Sequence, residues 1–251
     1  MLVDTHCHVH EANYPLNADE VWQRAKLAGV EKLLCIGTDI ESSKQAVAWA
    51  RSHENVWAVV GIHPHEAAKE SIGPLRELLA SPNNKIVGIG ECGLDYFYEH
   101  SPRDRQIALL EEHLDLAKEF NMPLSFHVRE AFDDFWPIFD RYPATRGVLH
   151  SFTDSEANLK EALARGLYIG VNGISTFTKI DTQKAMFKAI PLQKLLLETD
   201  APFLTPVPKR GTINEPAFVT LVAKFHATLR SINLQELSRA TSQNASDLFS
   251  I

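Results

Sequence analysis

The chain has 251 residues, of which 45% are apolar and 23% are charged. This length and composition are typical of a globular protein near the size of an eight-stranded α/β barrel, and they argue against a disordered chain. The formal net charge of −7 argues against a protein that grips duplex DNA over many phosphates. A nucleic acid held locally, at a few phosphates or a strand end, remains compatible with this charge.

The cysteines and the apolar runs bear on where the protein works. Cys7, Cys35 and Cys92 are odd in number and far apart, which favours reduced thiols in the cytosol. No run approaches the roughly 18 apolar residues of a membrane span, and no secretory signal is visible. We therefore expect a cytoplasmic protein without a membrane association, and no obligate protein partner is evident.

Short apolar runs rich in β-branched residues alternate with amphipathic segments of helical length. The predicted strands span residues 2–5, 32–38, 56–62, 85–91, 123–128, 147–152, 168–172 and 194–199. The predicted helices span residues 19–28, 41–52, 74–80, 105–120, 131–141, 155–165, 184–190, 215–229 and 234–249. Ser151 and Asp154 are the predicted start residues of the sixth helix, and Asn233 of the last. Eight such alternations predict an α/β fold, a (β/α)₈ TIM barrel, formed by a single domain over residues 1–251.

Polar side chains follow the carboxyl ends of these strands, where barrel enzymes place their catalytic groups. The residues concerned are His6 and His8, His63 and His65, Glu91 and Asp95, His127 and Arg129, His150, and Glu198 and Asp200. Each alone has an ordinary explanation, such as a hydrogen-bonded core histidine or an ion-pair partner. Metal-capable groups at six strand ends together favour a metal site, because such groups are seldom buried without a partner.

The number of candidate ligands predicts two divalent ions. His6, His8, Glu91, His127, His150 and Asp200 are too many for one zinc ion that keeps an open position. We expect His6 and His8 to hold one ion with Asp200, because strands one and eight are neighbours in a closed barrel. His127 and His150 would hold the other ion, with Glu91 as the bridge. Mixed nitrogen and oxygen ligands suit Zn²⁺, Mn²⁺ or Co²⁺, and Mg²⁺ less well.

Seven ordered motifs carry a family resemblance. They are DTHCH at 4–8, GIHPH at 61–65, GECGLDY at 90–96, HVREA at 127–131, HSF at 150–152, LLETDAPFL at 196–204 and RGTINEP at 210–216. With these motifs the chain resembles the TatD-type metal-dependent hydrolases, a branch of the amidohydrolase-like (β/α)₈ barrels. The resemblance implies divalent-metal-dependent hydrolysis, in several members of phosphodiester bonds in DNA, including 3′→5′ exonuclease action. It implies the same six metal residues.

Two of these carboxylates, Asp200 and Glu91, are the candidate catalytic groups. Bound ions would lower the pKa of a water molecule and draw charge from the oxygen under attack. Asp200 is a candidate both for coordinating an ion and for accepting the proton of the attacking water, and the sequence leaves the two roles open.

Four further side chains are candidate substrate contacts. His63 is interpreted as a phosphate contact or a partner of a ligand, with a structural histidine as the alternative, and His65 as a contact or a helix start. Arg129 suits a bidentate clamp on a phosphate, or an ion pair with Glu130 or Asp95. Arg210, beside Lys209, suits a weakly basic lip or a solvated loop.

Aromatic residues at 96–98 follow the predicted bridging carboxylate. Tyr96, Phe97 and Tyr98 are candidates for stacking on nucleobases near the mouth of the barrel, or for capping the barrel.

These residues are compatible with three functions. The leading one is a metal-dependent phosphodiesterase that acts on DNA ends or single strands. The second is an amide, ester or lactone hydrolase, which Glu91 disfavours because several such relatives use a modified lysine at the bridge. The third is a non-catalytic metal-binding scaffold, which retention of all six ligands disfavours, because a scaffold needs only the barrel core.

Overall fold

A computed structural model describes residues 2–82 and 85–251 of the chain. Each of the eight predicted strands is present, although several begin or end a few residues away from the predicted bounds. The strands are β1 (Leu2–Cys7), β2 (Val30–Ile36), β3 (Val56–Val60), β4 (Ile86–Asp95), β5 (Leu124–Arg129), β6 (Gly147–Leu149), β7 (Tyr168–Val171) and β8 (Leu195–Leu197).

Helices follow the strands along the chain, as predicted. They are α1 (Ala18–Leu27), α2 (Ile40–Ser52), α3 (Gly73–Ala80), α4 (Arg103–Phe120), α5 (Phe132–Phe139), α6 (Glu156–Ala164), α7 (Ile174–Phe177), α8 (Asp181–Ala189), α9 (Val219–Arg230) and α10 (Leu234–Phe249). Short 3₁₀ turns cover Pro64–Glu66, Leu192–Lys194 and Pro216–Phe218. Among residues 2–82 and 85–251, no helix has the length and apolar character needed to cross a membrane.

The strands follow one another in chain order, β1 to β8, in one parallel sheet. This order, with helices between the strands, confirms the predicted (β/α)₈ TIM barrel fold. The strands are almost entirely buried along their length, as parallel strands covered by helices are.

The predicted start residues of the sixth helix were wrong, although its predicted span, 155–165, begins at the observed cap. Ser155, not Ser151 or Asp154, caps α6, because its side chain accepts a hydrogen bond from the backbone N–H of Asn158 at 3.1 Å. Asp154 instead accepts from the Asn158 side-chain amide at 2.6 Å. The predicted cap of α10 is confirmed, since the Asn233 side chain accepts from the backbone N–H of Glu236.

The chain divides into two compact units. Unit 1 comprises the residues up to Cys35 and His150–Ile251, and unit 2 comprises Ile36–Leu149. In unit 1, β1 pairs with β2 and β7 pairs with β8. The backbone of Cys7 also forms an isolated parallel β-bridge with that of Ala201. In unit 2, β3 pairs with β4, β4 with β5, and β5 with β6. Each unit therefore contains strands whose carboxyl ends are followed by polar side chains.

Candidate active site

Three donor atoms meet at the carboxyl end of β1 in unit 1. The Nε2 atom of His8 lies 3.3 Å from both the Nε2 atom of His6 and the Oδ1 atom of Asp200. His6 Nε2 lies 3.6 Å from the same Asp200 oxygen. Donors bound at about 2.0–2.2 Å to a tetrahedral ion stand about 3.3–3.6 Å apart, so this triangle fits one divalent cation with a further position open.

Backbone contacts between the end of β1 and the segment after β8 bring these donors together. The backbone N–H of Asp200 donates to the carbonyl of His6 at 2.9 Å, and that of His8 donates to the carbonyl of Ala201 at 2.8 Å. Asp200 itself adopts a left-handed backbone conformation (φ 60°), just past the end of β8. The turn after β8 therefore aims Asp200 at the two histidines.

Asp200 carries the charge that a cation needs. Burial by itself would raise the pKa of its carboxyl group, but a hydrogen bond from His8 and the neighbouring His150 and His6 rings outweigh burial. The pKa of Asp200 therefore lies below its ordinary value, and the group is a carboxylate at neutral pH.

A second buried carboxyl group, Asp4, holds the backbone of this cluster. It accepts hydrogen bonds from the backbone N–H of Thr199 at 2.9 Å, the Thr199 hydroxyl at 2.6 Å and the backbone N–H of His6 at 3.3 Å. Burial raises the pKa of Asp4 to about 8, despite these bonds. The sequence motif contained Asp4, but no role was assigned to it.

His150 lies beside the same cluster. Its ring stacks on that of His6, with the ring centroids 3.7 Å apart. The Oε1 atom of Glu198 lies 3.2 Å from His150 Nδ1 and accepts the backbone N–H of Ser151 at 2.6 Å. A carboxylate at Nδ1 favours the tautomer that leaves Nε2 available to a metal. Glu198 is therefore a candidate positioning residue for His150, and the sequence alone indicated no separate role for it.

Unit 2 contains another group of possible metal ligands, formed by His63, Glu91 and His127. The Oε1 atom of Glu91 lies 3.0 Å from His127 Nδ1 and 3.6 Å from His63 Nε2. Burial is the main reason why the pKa of His63 lies well below its ordinary value, so its ring is neutral and has a lone pair to offer. Two imidazoles and a carboxylate fit a divalent ion by their chemistry.

Asp95 holds the far side of this group. Its Oδ2 atom lies 2.9 Å from His127 Nε2 and 3.2 Å from His65 Nε2. Burial alone would raise the pKa of Asp95, but the bonds from His127 and from the backbone N–H of Tyr98 lower it below the ordinary range. Asp95 is thus a carboxylate that orients His127.

The glycine at 93 explains why Glu91 stands so close to His127. A Cβ atom at Gly93 would lie 1.9 Å from the carbonyl oxygen of His127, and the glycine has a φ of 146°. Only glycine allows β4 to approach β5 in this way. The strand continues to Asp95, so that Glu91 and Asp95 both face the His127 ring.

Within each unit, several of the predicted metal residues lie together. His6, His8 and Asp200 lie together, with His150 against His6, and their binding of one ion stays a prediction. Glu91 and His127 are together in unit 2, joined by His63. The predicted pairing of His127 with His150 and the bridge by Glu91 stay predictions.

The two arginines that were predicted to contact substrate lie over aromatic rings. The guanidinium carbon of Arg129 is 3.9 Å from the Phe97 ring centre and 4.8 Å from that of Tyr98. That of Arg210 is 3.9 Å from the Phe177 ring centre, and Arg210 also donates to the carbonyl of Thr205. Both arginines are exposed.

The predicted contacts His63 and His65 and the aromatic residue Tyr96 take part in hydrogen bonds within the protein. His65 bonds to Asp95 through Nε2, and its backbone N–H donates to His63 Nδ1 at 3.2 Å. The Tyr96 hydroxyl donates to Asp134 at 2.7 Å. Tyr96 is thus held at its hydroxyl, and it is less exposed than Phe97 and Tyr98.

Known proteins resemble the chain over its whole length. A family model described as TatD related DNase matches residues 3–250. An uncharacterized metal-dependent hydrolase of Bacillus subtilis, YabD, is 36% identical over 100% of both chains. The 3′-5′ ssDNA/RNA exonuclease TatD of Erwinia amylovora is also 36% identical over 100% of both chains.

A solved structure agrees with these sequence matches. The crystal structure of YJJV, a TatD homolog from Escherichia coli K12, has a TM-score of 0.93 and 32% identity, over 100% of this chain and 98% of that chain. The family match and the two clusters of histidines and carboxylates agree with the motifs met along the sequence. The chain therefore belongs to the TatD related DNase family.

Proposed function

We propose that this hydrolase is a divalent-metal-dependent exonuclease that removes nucleotides from the 3′ ends of single-stranded DNA. The observation that carries the proposal is the triangle of His6, His8 and Asp200, whose donor atoms stand 3.3–3.6 Å apart. The name of the Erwinia amylovora relative, a 3′-5′ ssDNA/RNA exonuclease, supports the choice of substrate.

Two ions are proposed, of Zn²⁺, Mn²⁺, Co²⁺ or Mg²⁺. His6, His8 and Asp200 would hold one, and Glu91 and His127 the other, with His150 as a further ligand as predicted from the sequence and His63 as a candidate. Glu91 is proposed as the shared carboxylate. When bound, such ions supply a hydroxide near neutral pH and stabilise the charge that develops on the phosphoryl oxygens.

The side chains around the ions have separate roles in this proposal. Asp200 accepts the proton of the attacking water, as a carboxylate within reach of the site. Arg129 and Arg210, whose guanidinium carbons lie 3.9 Å from aromatic ring centres, hold phosphates through their N–H groups. His65 contacts the Asp95 oxygen that also contacts His127, and so helps to keep the His127 ring in its orientation.

We further propose that residues 1–251 act as one catalytic domain in the cytoplasm. The family model, which spans residues 3–250, supports one domain. The free thiols of Cys7, Cys35 and Cys92, all buried, support a reducing compartment. A nucleic acid substrate is the partner proposed, and no protein partner is proposed.

The test uses a single-stranded oligonucleotide labelled at its 5′ end. The chelated and dialysed protein is reloaded with Mn²⁺, and we expect products that shorten one nucleotide at a time from the 3′ end. Asp200→Asn and Glu91→Gln should lower the rate about 100-fold or more, whereas Glu119→Gln, an exposed site on α4, should leave it unchanged. Activity on ester or amide substrates without any shortening of DNA would replace the proposal by a carbonyl hydrolase.

A further inference from the structure

Two exposed aromatic rings and an arginine form a patch in unit 2. Phe97 is 50% exposed and Tyr98 is 52% exposed, and their rings meet edge to face with centroids 4.7 Å apart. The guanidinium carbon of Arg129 lies 3.9 Å and 4.8 Å from the two ring centres. We call these three side chains the aromatic platform.

The platform is tied to a candidate metal ligand by one carboxylate. The backbone N–H groups of Phe97 and Tyr98 both donate to Asp95 Oδ1 at 3.0 Å. The other oxygen of Asp95 faces His127 Nε2 at 2.9 Å. The position of the rings is therefore set by the group that orients His127, although the rings themselves take no part in these bonds.

A series of rings connects the platform with the candidate site. His127 and His65 have centroids 6.4 Å apart, and His65 and Tyr98 have centroids 5.7 Å apart. His100 continues the series at the surface, with its plane within 4° of that of Tyr98. A flexible strand whose phosphate reaches His127 would therefore bring a base a few nucleotides away over the platform.

The chemistry of the platform fits an unpaired nucleobase with its phosphate. Aromatic faces stack on bases without regard to sequence. A guanidinium lying on a ring keeps its N–H edge for a phosphate oxygen. In a duplex the faces of the bases are covered by their neighbours, so such a platform discriminates in favour of single strands. Because the chain has a net charge of −7, the positive charge of Arg129 is local and does not belong to a generally basic protein.

We infer that the aromatic platform of Phe97, Tyr98 and Arg129 is a subsite that binds an unpaired nucleobase and its phosphate, and that it selects single-stranded over duplex substrate. The inference rests on the proposed function, since it assumes that the strand is cut at the neighbouring site. Tyr96 is left out of the subsite because it is less exposed than Phe97 and Tyr98 and because its hydroxyl donates to Asp134 at 2.7 Å.

Substitution by leucine removes the aromatic faces and keeps apolar volume. We expect Phe97→Leu and Tyr98→Leu each to raise KM for single-stranded DNA on the order of tenfold, with little change in kcat. Tyr98→Phe should restore the wild-type KM. Trp57→Leu is the matched control, because that ring also lies near a cation, Lys85 at 5.8 Å, but at the beginning of β3.

An oligonucleotide with abasic positions near its 3′ end tests the base itself. If the rings stack on a base, the abasic substrate should raise KM for the wild type but cause no further increase in the Phe97→Leu, Tyr98→Leu double variant. Additive losses would overturn the subsite.

Binding of a labelled single strand in chelator, measured by fluorescence anisotropy, separates the two proposals. Wild-type protein that binds the strand more tightly than the double variant supports the subsite even if no DNA is cut, whereas equal affinities overturn it. Absence of cleavage by the metal-loaded wild type would contradict only the proposed function.

Discussion

At the scale of single residues, each candidate ligand cluster has a carboxylate behind an imidazole. Glu198 faces Nδ1 of His150 at 3.2 Å, and Asp95 faces Nε2 of His127 at 2.9 Å. Such a carboxylate fixes the tautomer and the orientation of the ring and raises its basicity as a ligand. We therefore expect these two acids to set how well the histidines hold an ion, although the acids are not themselves proposed as ligands.

We predict that Glu198→Gln weakens metal binding about tenfold and Glu198→Ala about 100-fold, the range found for partners of metal-bound histidines. The amide oxygen of glutamine still accepts from His150 but is a weaker acceptor than a carboxylate. The measurement is competition for Mn²⁺ or Zn²⁺ against a chromophoric chelator, with circular dichroism to establish folding.

Glu161→Gln is the control for this prediction, since Glu161 is an exposed acid on α6 in the same unit and pairs with Arg165. Unchanged metal affinity in a folded Glu198→Ala protein would contradict the positioning role.

The sequence could predict most of the candidate metal ligands but not the residues that orient them. His6 and His8 share one face of a strand, and Asp200 follows a neighbouring strand, so periodicity and barrel topology suffice to place them together. The role of Glu198 could not be predicted, because an acid at a strand end has the same pattern whether it binds a metal or a histidine. The place of His63 beside Glu91 depends on the course of the chain after β3, which has no periodic signal.

At the scale of elements, the alternation of apolar strands and amphipathic helices was sufficient to predict all eight strands. β4 extends four residues beyond its predicted end to Asp95, because Gly90 and Gly93, with φ of 139° and 146°, adopt a backbone that propensities do not favour. The helix α7 was not predicted. It spans only Ile174–Phe177, which is too short for a helical period to be recognised.

We predict that Asn233→Ala lowers the free energy of unfolding by about 1 kcal/mol. The Asn233 side chain accepts from the backbone N–H of Glu236 at 2.8 Å, and alanine leaves that donor at the start of α10 without its cap. Urea denaturation followed by circular dichroism measures the change. Gln243→Ala in the same helix removes only an exposed contact with Asp247 and should cost less than about 0.5 kcal/mol. Equal losses in the two variants would contradict the capping argument.

At the scale of the whole molecule, buried histidines make stability depend on pH. His113 on α4 is fully buried, its Nδ1–H donates to the carbonyl of Leu109 at 2.7 Å, and its Nε2 accepts the backbone N–H of Ile62 at 3.1 Å. Burial lowers the pKa of His113 to about 4. Both ring nitrogens are used by the neutral form, so protonation must break the bond from Ile62.

The sign of the pH effect follows from these pKa values. Between the ordinary histidine pKa of about 6.5 and the folded value of about 4, the unfolded chain binds the proton and the folded chain does not. Stability from His113 is therefore complete above pH 6.5 and is lost as the pH falls towards 4. We predict a loss of about 2 kcal/mol between pH 7 and pH 5 from this residue. The buried His226, whose pKa is also lowered by burial, acts in the same direction.

The contribution of His113 is measured as a difference between variants. Urea denaturation at pH 7, 6 and 5 should give a smaller loss of stability for His113→Gln than for the wild type, by about 2 kcal/mol at pH 5. His53→Gln, at the end of α2, is the control and should keep the wild-type dependence. Parallel curves for wild type and His113→Gln would show that His113 is not the titrating group.

The net charge of −7 leads to the last prediction, which concerns how nucleic acid is held. A chain with this charge binds a strand through few cations, and Arg129 and Arg210 are the exposed arginines proposed to contact phosphates. For single strands the logarithm of affinity falls by about 0.7 per phosphate contact for each tenfold rise in salt.

With metal removed, we therefore predict that the plot of log affinity against log salt concentration has a slope of about −1.4 for a labelled oligonucleotide and the wild type, and about −0.7 for Arg129→Gln. Anisotropy titrations between 50 and 200 mM salt, about the range over which such slopes are resolved, measure both values. A slope steeper than about −4 would require an extended basic track, which this composition does not supply, and would refute the idea that the strand is held locally.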